Sequence, residues 1–235
     1  ANPSRTPRWS ASTRSESTDG APPVVGPEGN RRASPQTRRH RLRLPDSLRP
    51  DADLSFFLGQ ALKRPQSVSA LAPSSARLAE AMAALVPAGS GPGVELGPGT
   101  GKITRQILAH GVAPRDLHLL EINDDFVTLL QERFPEVSVH NCGAEAMAGL
   151  GLPPLRAVVS GLPLLSFPVT LQARILRAAF RQLAPGAPFI QYTYGPAVPV
   201  PPRLMKALRL RAIRRAVIWG NLPPAQGLTL HRHVA

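Results

Sequence analysis

The chain has 235 residues, room for one domain of ordinary size and a tail, and carries 28 Lys and Arg against 15 Asp and Glu, a formal charge of +13. Its single cysteine, Cys142, excludes a disulfide framework, and no apolar stretch reaches the roughly 18 residues that span a bilayer. Residues 1–50 hold 10 basic and 4 acidic side chains, residues 203–215 hold 6 basic and none acidic, and residues 51–202 balance at 11 of each. An anionic partner is therefore expected at the periphery of a neutral core.

Residues 1–45 are rich in Pro, Ser, Arg and Gly and too poor in apolar side chains to offset ordering entropy, so a disordered basic tail is expected. Its Arg31-Arg32 and Arg38-Arg39-His40-Arg41 clusters read either as a solvated tail or as contacts for lipid head groups or RNA. Residues 46–88 are expected to form N-terminal helices. In the first, Asp53 to Arg64, residues Leu54, Phe57, Leu58, Ala61 and Leu62 follow i, i+3, i+4, i+7 and i+8, and Pro65 ends the run. Such a helix lies in a membrane interface or packs on the core. Ser74-Ser75, after Pro73, then cap a helix carrying Leu78, Met82 and Leu85.

From residue 89 to 235 strands and helices alternate. Strands are expected at Val94 to Leu96, Leu117 to Glu121, Val137 to His140, Ala157 to Ser160 and Phe189 to Tyr194, with helices at Lys102 to His110, Asp124 to Phe134 and Leu171 to Leu183. That rhythm predicts an α/β fold with a doubly wound, mostly parallel sheet. A basic amphipathic helix is expected over Arg203 to Trp219, carrying positive charge to the mouth of the site, and Leu228 to His233 is expected to pair antiparallel with the Phe189 strand as the edge.

Val94-Glu95-Leu96-Gly97-Pro98-Gly99-Thr100-Gly101 reads as strand, tight turn and helix start, the arrangement by which such sheets hold a nucleotide-like ligand. The third glycine follows the second by two positions, not three, so the dinucleotide fingerprint is not matched. Glu95 would repel a pyrophosphate but accepts from an ammonium. A second acid, Glu121 in Glu121-Ile122-Asn123, ends the next strand, where a carboxylate accepts from both ribose hydroxyls. An amino-acid tail, a ribose and no phosphate describe S-adenosylmethionine. After the fourth strand, Ser160-Gly161-Leu162-Pro163-Leu164 lacks the Asn or Asp and the aromatic that hold and stack a flipped base. Tyr192 and Tyr194 suit an amine that grows towards quaternary ammonium, since an aromatic face attracts a cation; strand packing is the other reading. His110, His118 and His140 are isolated and suggest no metal site, and no nucleophile elbow occurs.

Ala72-Pro73-Ser74-Ser75, the Glu95 to Gly101 turn, Glu121-Ile122-Asn123, Val159-Ser160-Gly161-Leu162-Pro163-Leu164 and Phe189 to Pro202 together resemble the bacterial phospholipid N-methyltransferases, which are related in fold to the rRNA adenine dimethyltransferases. The resemblance implies a class I, Rossmann-like methyltransferase that moves methyl groups from S-adenosylmethionine to phosphatidylethanolamine, stepwise towards phosphatidylcholine, leaving S-adenosylhomocysteine. It further implies docking on anionic phospholipid through the Asp53 to Arg64 helix, at the cytoplasmic face of the cell membrane. It makes Ser74, Ser75, Glu95, Gly97, Gly99, Thr100, Gly101, Glu121, Ile122, Asn123, Ala144, Glu145 and Ser160 the cofactor-binding set, and Ser160, Gly161, Leu162, Pro163, Tyr192 and Tyr194 the acceptor set. One departure stands out: where the family reads Gly-Asp-Ala after the third strand, this chain has Cys142-Gly143-Ala144-Glu145, so either Glu145 reaches the adenine or that contact is lost. RNA adenine methylation and a non-catalytic membrane or nucleic-acid binding module are the alternative readings, with nucleic acid the weaker partner.

Overall fold

The computed structural model describes residues 74–194, 196–218 and 224–233. The basic tail, the Asp53 to Arg64 helix, Ala72-Pro73, Gly195 and the segment Trp219 to Pro223 lie outside the described residues, as do the side chains of Ser74 and Ser75.

Seven strands form one sheet in the order β3-β2-β1-β4-β5-β7-β6. The strands are β1 (Gly93–Leu96), β2 (Leu117–Glu121), β3 (Ser138–Asn141), β4 (Ala157–Ser160), β5 (Phe189–Tyr194), β6 (Leu210–Ile218) and β7 (Ala225–Arg232). The first five pair in parallel, whereas β7 runs antiparallel to both β5 and β6. The helices are α1 (Ser74–Ala83), α2 (Lys102–Ala109), α3 (Asp124–Arg133), α4 (Val169–Gln182) and α5 (Pro202–Ala207). The sheet is fully covered in its centre, so its strands read as nearly continuous apolar runs.

Strand alternation sorts the core into two layers. Val94, Leu96, Leu120, Val158, Phe189 and Leu230 point to the side of α4, while Leu117, Leu119, Val159, Ile190 and Ala225 point to the side of α1, α2 and α3. Leu78 and Met82 of α1 pack in that second layer, as their spacing predicts.

Two expectations fail at the C-terminal end. The helix predicted over Arg203 to Trp219 stops after Ala207, and the chain continues as β6. Arg209 takes a left-handed backbone, φ 52°, and its carbonyl accepts from His233, so the helix cannot propagate past it. Ile213, Val217 and Ile218, stiff β-branched residues, then favour a strand. The second correction follows: β7 pairs antiparallel with β5 as expected, Phe189 opposite Leu230, but lies inside the sheet, and β6 is the edge. The exposed Arg211, Arg214 and Arg215 consequently line an outer strand instead of gathering at the mouth of the site.

Candidate functional site

Strand order reverses direction between β1 and β4, the place where open α/β sheets form a crevice beyond the carboxyl ends of their strands. The glycine turn follows β1 there, and the Gly161 to Leu164 loop follows β4. They touch: the Gly161 amide donates to the Leu96 carbonyl at 2.8 Å, and a Cβ on Gly161 would stand 2.7 Å from the Gly97 carbonyl oxygen. Gly97, with φ 64°, is also closed against Leu162, whose Cδ2 would lie 2.5 Å from an added Cβ. By contrast Gly99, with φ 54°, has nothing within 4 Å of such a carbon. The turn is thus packed where it meets β4 and bare at its tip, where a ligand's backbone-close approach needs no side chain.

Glu121 organises the floor. Its Oε1 accepts from the amides of Ile122 at 2.9 Å and Asn123 at 3.0 Å, and its Oε2 accepts from the Gly99 amide at 3.1 Å. The carboxylate ties the end of β2 to the tip of the glycine turn, and Oε2 keeps lone-pair capacity for a ribose diol. Asn123 has a structural task as well: its Oδ1 accepts from the Phe126 amide and caps α3.

Glu95 lies on the α2 side of β1, fully buried, and its Oε2 accepts from Thr104 Oγ1 at 2.6 Å. Burial pushes its carboxyl up to about 8 against the pull of that hydrogen bond, with a smaller upward push from the Glu121 charge. Its Oε1 is buried without a hydrogen-bond partner. A buried acceptor left unpaired costs about 1–3 kcal/mol, and an ammonium at the turn would remove that cost. Bare glycine tip, unpaired carboxylate oxygen and pinned Glu121 together fit S-adenosylmethionine, whose amino-acid and ribose ends need these groups.

After β3, Gly143 is buried and a Cβ there would meet both carboxylate oxygens of Glu145, at 2.6 and 2.7 Å. Glu145 thus folds back over the position where the family's acid would begin, and also stands 3.9 Å from Arg174 of α4. Burial and that nearby carboxylate push the Cys142 thiol up to about 12, which removes it as a nucleophile near neutral pH. Ala144 is buried in the α4 layer beside them. Thr100 is exposed, and its carbonyl accepts from Arg133 at 2.8 Å.

On the acceptor side, Ser160 ends β4 fully buried, and its Oγ lies 3.4 Å from the Leu162 amide. Pro163 leads into a short 3-10 turn, Leu164–Ser166, that buries Leu164 and leaves Leu165 58% exposed. Tyr192 and Tyr194 sit on the other face of the sheet, towards α1, with ring centres 5.6 Å apart in an edge-to-face contact. Burial pushes the Tyr192 phenol up to about 12, Tyr194 adding to it, and burial raises Tyr194 as well. Neither phenol loses its proton near neutral pH, so they can orient or face an amine but not act as its base. The carboxyl edge holds both tyrosines and Ser160, and the sheet separates them.

Three residues escaped sequence reasoning. Thr104 pairs with Glu95; Gln172 donates to the Leu164 and Phe167 carbonyls at 2.8 and 3.1 Å; Gln191 donates to the Leu162 carbonyl at 3.0 Å. Polar residues inside the buried faces of α2, α4 and β5 were the signal. His118 and His140 do meet, Nδ1 to Nε2 at 3.2 Å on neighbouring strands, and burial keeps both below the usual imidazole range. No cluster of three metal-ligating side chains occurs among the described residues.

No family model matches the sequence. The ornithine lipid N-methyltransferase of Singulisphaera acidiphila is 36% identical over 156 residues, which cover 62% of this chain and 80% of that protein. Among solved structures, the N-methyltransferase NodS of Bradyrhizobium japonicum, in complex with S-adenosylhomocysteine, superposes with a TM-score of 0.55 at 13% identity, over 69% of this chain and 89% of that one. The magnesium protoporphyrin IX methyltransferase ChlM of Synechocystis, with bound S-adenosylmethionine, gives 0.51 at 14% identity, over 68% and 80%. At those identities the likeness establishes the fold: the class I, Rossmann-like methyltransferase fold.

Proposed function

This chain belongs to the family of the ornithine lipid N-methyltransferase, and from that premise we propose that it methylates the primary amine of a membrane lipid, with phosphatidylethanolamine the acceptor and the product stepwise more methylated. The observation that supports the reading is the contact between the bare-tipped glycine turn after β1 and the Gly161 to Leu164 loop after β4. S-adenosylmethionine, when bound, supplies a methyl group on a sulfonium centre. Methyl transfer from a sulfonium to an amine lone pair is an in-line displacement, so alignment would be the chain's main catalytic task. Glu95 would receive the ammonium of the cofactor's amino-acid end and Glu121 the ribose, with the bare backbone of Gly99 between them.

Leu165 and Val169, 58% and 52% exposed, stand just beyond the acceptor loop and offer apolar surface to an acyl chain. Arg203, Lys206, Arg211, Arg214 and Arg215, all exposed, suit an anionic bilayer. The same loop has no aromatic residue to stack a base, which disfavours RNA. Ornithine lipid is the second reading, favoured by the 36% identical relative, and it too presents a primary amine on an acylated body.

The test is incubation of the full chain with methyl-labelled S-adenosylmethionine and vesicles of anionic lipid containing phosphatidylethanolamine or ornithine lipid, followed by chromatography. Labelled phosphatidylethanolamine derivatives are expected. Label in ornithine lipid alone would replace the acceptor, and label in neither, with cofactor bound in calorimetry, would overturn the lipid reading.

A further inference from the structure

On the α4 face of the carboxyl edge, three neighbouring side chains carry buried oxygens without a partner: Gln191 Oε1, Thr193 Oγ1 and Gln226 Oε1. Gln191 and Thr193 alternate on β5 and share that face; Gln226 of β7 stands opposite Thr193 in the antiparallel register. Gln191 is fully buried and Thr193 is 2% exposed. On the other flank Gln191 is in register with Ser160, from which the chain enters the acceptor loop.

The amide orientation of Gln191 is fixed by its surroundings. Its Nε2 donates to the carbonyls of Leu162 at 3.0 Å and of Tyr192 at 2.9 Å, so a flipped amide would set Oε1 against two other acceptors. The donor end therefore holds the acceptor loop, and the oxygen remains as a buried acceptor lacking a donor. A cluster of such acceptors asks for a ligand rich in N–H groups.

We propose that Gln191, Thr193 and Gln226 form a neutral seat for the ammonium of the substrate, one that recognises its N–H bonds and so prefers primary over fully methylated nitrogen. The inference rests on the lipid-amine reading above. Neutrality matters to the chemistry. A carboxylate in this place would stabilise the charged ammonium, whereas amide and hydroxyl oxygens in a buried site orient the nitrogen while desolvation lowers the ammonium's pKa, so that its proton passes to solvent water as it enters and the free lone pair is left to attack. Each methyl transferred replaces one N–H, so the seat loses a bond per round and the trimethylated product retains none.

The test uses the full chain saturated with S-adenosylhomocysteine, which cannot react, and measures thermal midpoints with n-octylammonium and with octyltrimethylammonium. The primary ammonium is expected to stabilise more strongly, and Thr193→Val, which keeps shape and loses only an unpaired hydroxyl, is expected to narrow the difference while S-adenosylhomocysteine affinity stays unchanged. In turnover, T193V is expected to raise KM for phosphatidylethanolamine about tenfold, the loss of one hydrogen bond, and less for the dimethylated lipid. Gln226→Glu keeps the shape and adds charge without disturbing the Gln191 donor, and its pH–rate profile should move upward as the ammonium is held protonated. Equal stabilisation by both amines, or an unchanged preference in T193V, overturns the seat even if lipid is methylated. Discrimination without any lipid methylation upholds the seat and overturns the lipid reading instead.

Discussion

The two halves of the sheet's carboxyl edge are finished to different degrees. At the ends of β1 and β2, Glu121 has three backbone amides on its carboxylate and the glycine turn is locked against Leu162 and Phe134. At the ends of β5 and β7, on the α4 face, buried oxygens of Gln191, Thr193 and Gln226 stand without partners. The first side is preorganised around one ligand chemistry and, apart from Glu95 Oε1, is satisfied without it. The second is not. On the proposed function, a cofactor that is the same in every turnover would meet a fixed cradle, while a lipid amine that changes with each methyl would meet oxygens whose hydrogen bonds it completes.

The largest break in that comparison is expected where the two sides touch. In Gly161→Ala the new Cβ meets the Gly97 carbonyl oxygen at 2.7 Å, a backbone atom that cannot swing aside. β4 and the glycine turn must separate, and a misplacement of even an ångström costs alignment-limited chemistry about 100-fold. The measurement is kcat/KM for methyl transfer; a loss below tenfold would show that the contact is slack. Next comes Glu121→Ala, which frees three amides and removes the carboxylate proposed to hold the ribose. S-adenosylhomocysteine affinity in calorimetry should fall by about 10- to 100-fold, in line with the loss of one or two charge-assisted hydrogen bonds.

This contrast also marks what the sequence made legible. The cradle is local: Glu95 reaches Thr104 nine residues on, Glu121 reaches Gly99 across 22, and both lie within one strand–helix–strand unit whose period changes show plainly. Its elements accordingly fall within a few residues of their expected bounds. The other side depends on distant pairing. Leu204, Leu208 and Ala212 repeat every four residues and read as a helix, whereas the strand's alternation is hidden by the bulge between Arg214 and Ala216 and becomes visible only against β7. Gln191 meets the Leu162 carbonyl 29 residues away, and nothing in its immediate neighbours announces that contact.

Glu95 sharpens the comparison from within the cradle, with a moderate effect. Its folded carboxyl titrates near 8, above the ordinary 4.5. Between those values the folded chain keeps a proton that the unfolded chain has lost, so stability falls as pH rises through about 4.5 to 8 and the loss is complete above it. An ammonium at Oε1 reverses the preference, and cofactor binding at pH 7 should release up to about one proton, read as a buffer-dependent calorimetric enthalpy. Glu95→Gln should remove both the stability slope and the proton release. Proton release unchanged in that variant would assign the linkage to another group.

The smallest effect belongs to the outer strand. Arg211 is exposed on β6, away from the crevice, so Arg211→Ala should leave S-adenosylhomocysteine affinity and the thermal midpoint unchanged. If the strand faces an anionic bilayer, each arginine contributes about 1 kcal/mol near the surface, and vesicle affinity should fall about fivefold at low salt. The difference should shrink as salt rises, because exposed charges are screened beyond roughly 10 Å at 0.1 M. Equal vesicle binding by variant and parent at low salt would move the docking surface off this edge, and the exposed pair Leu165 and Val169 beside the acceptor loop would then be the surface to alter next.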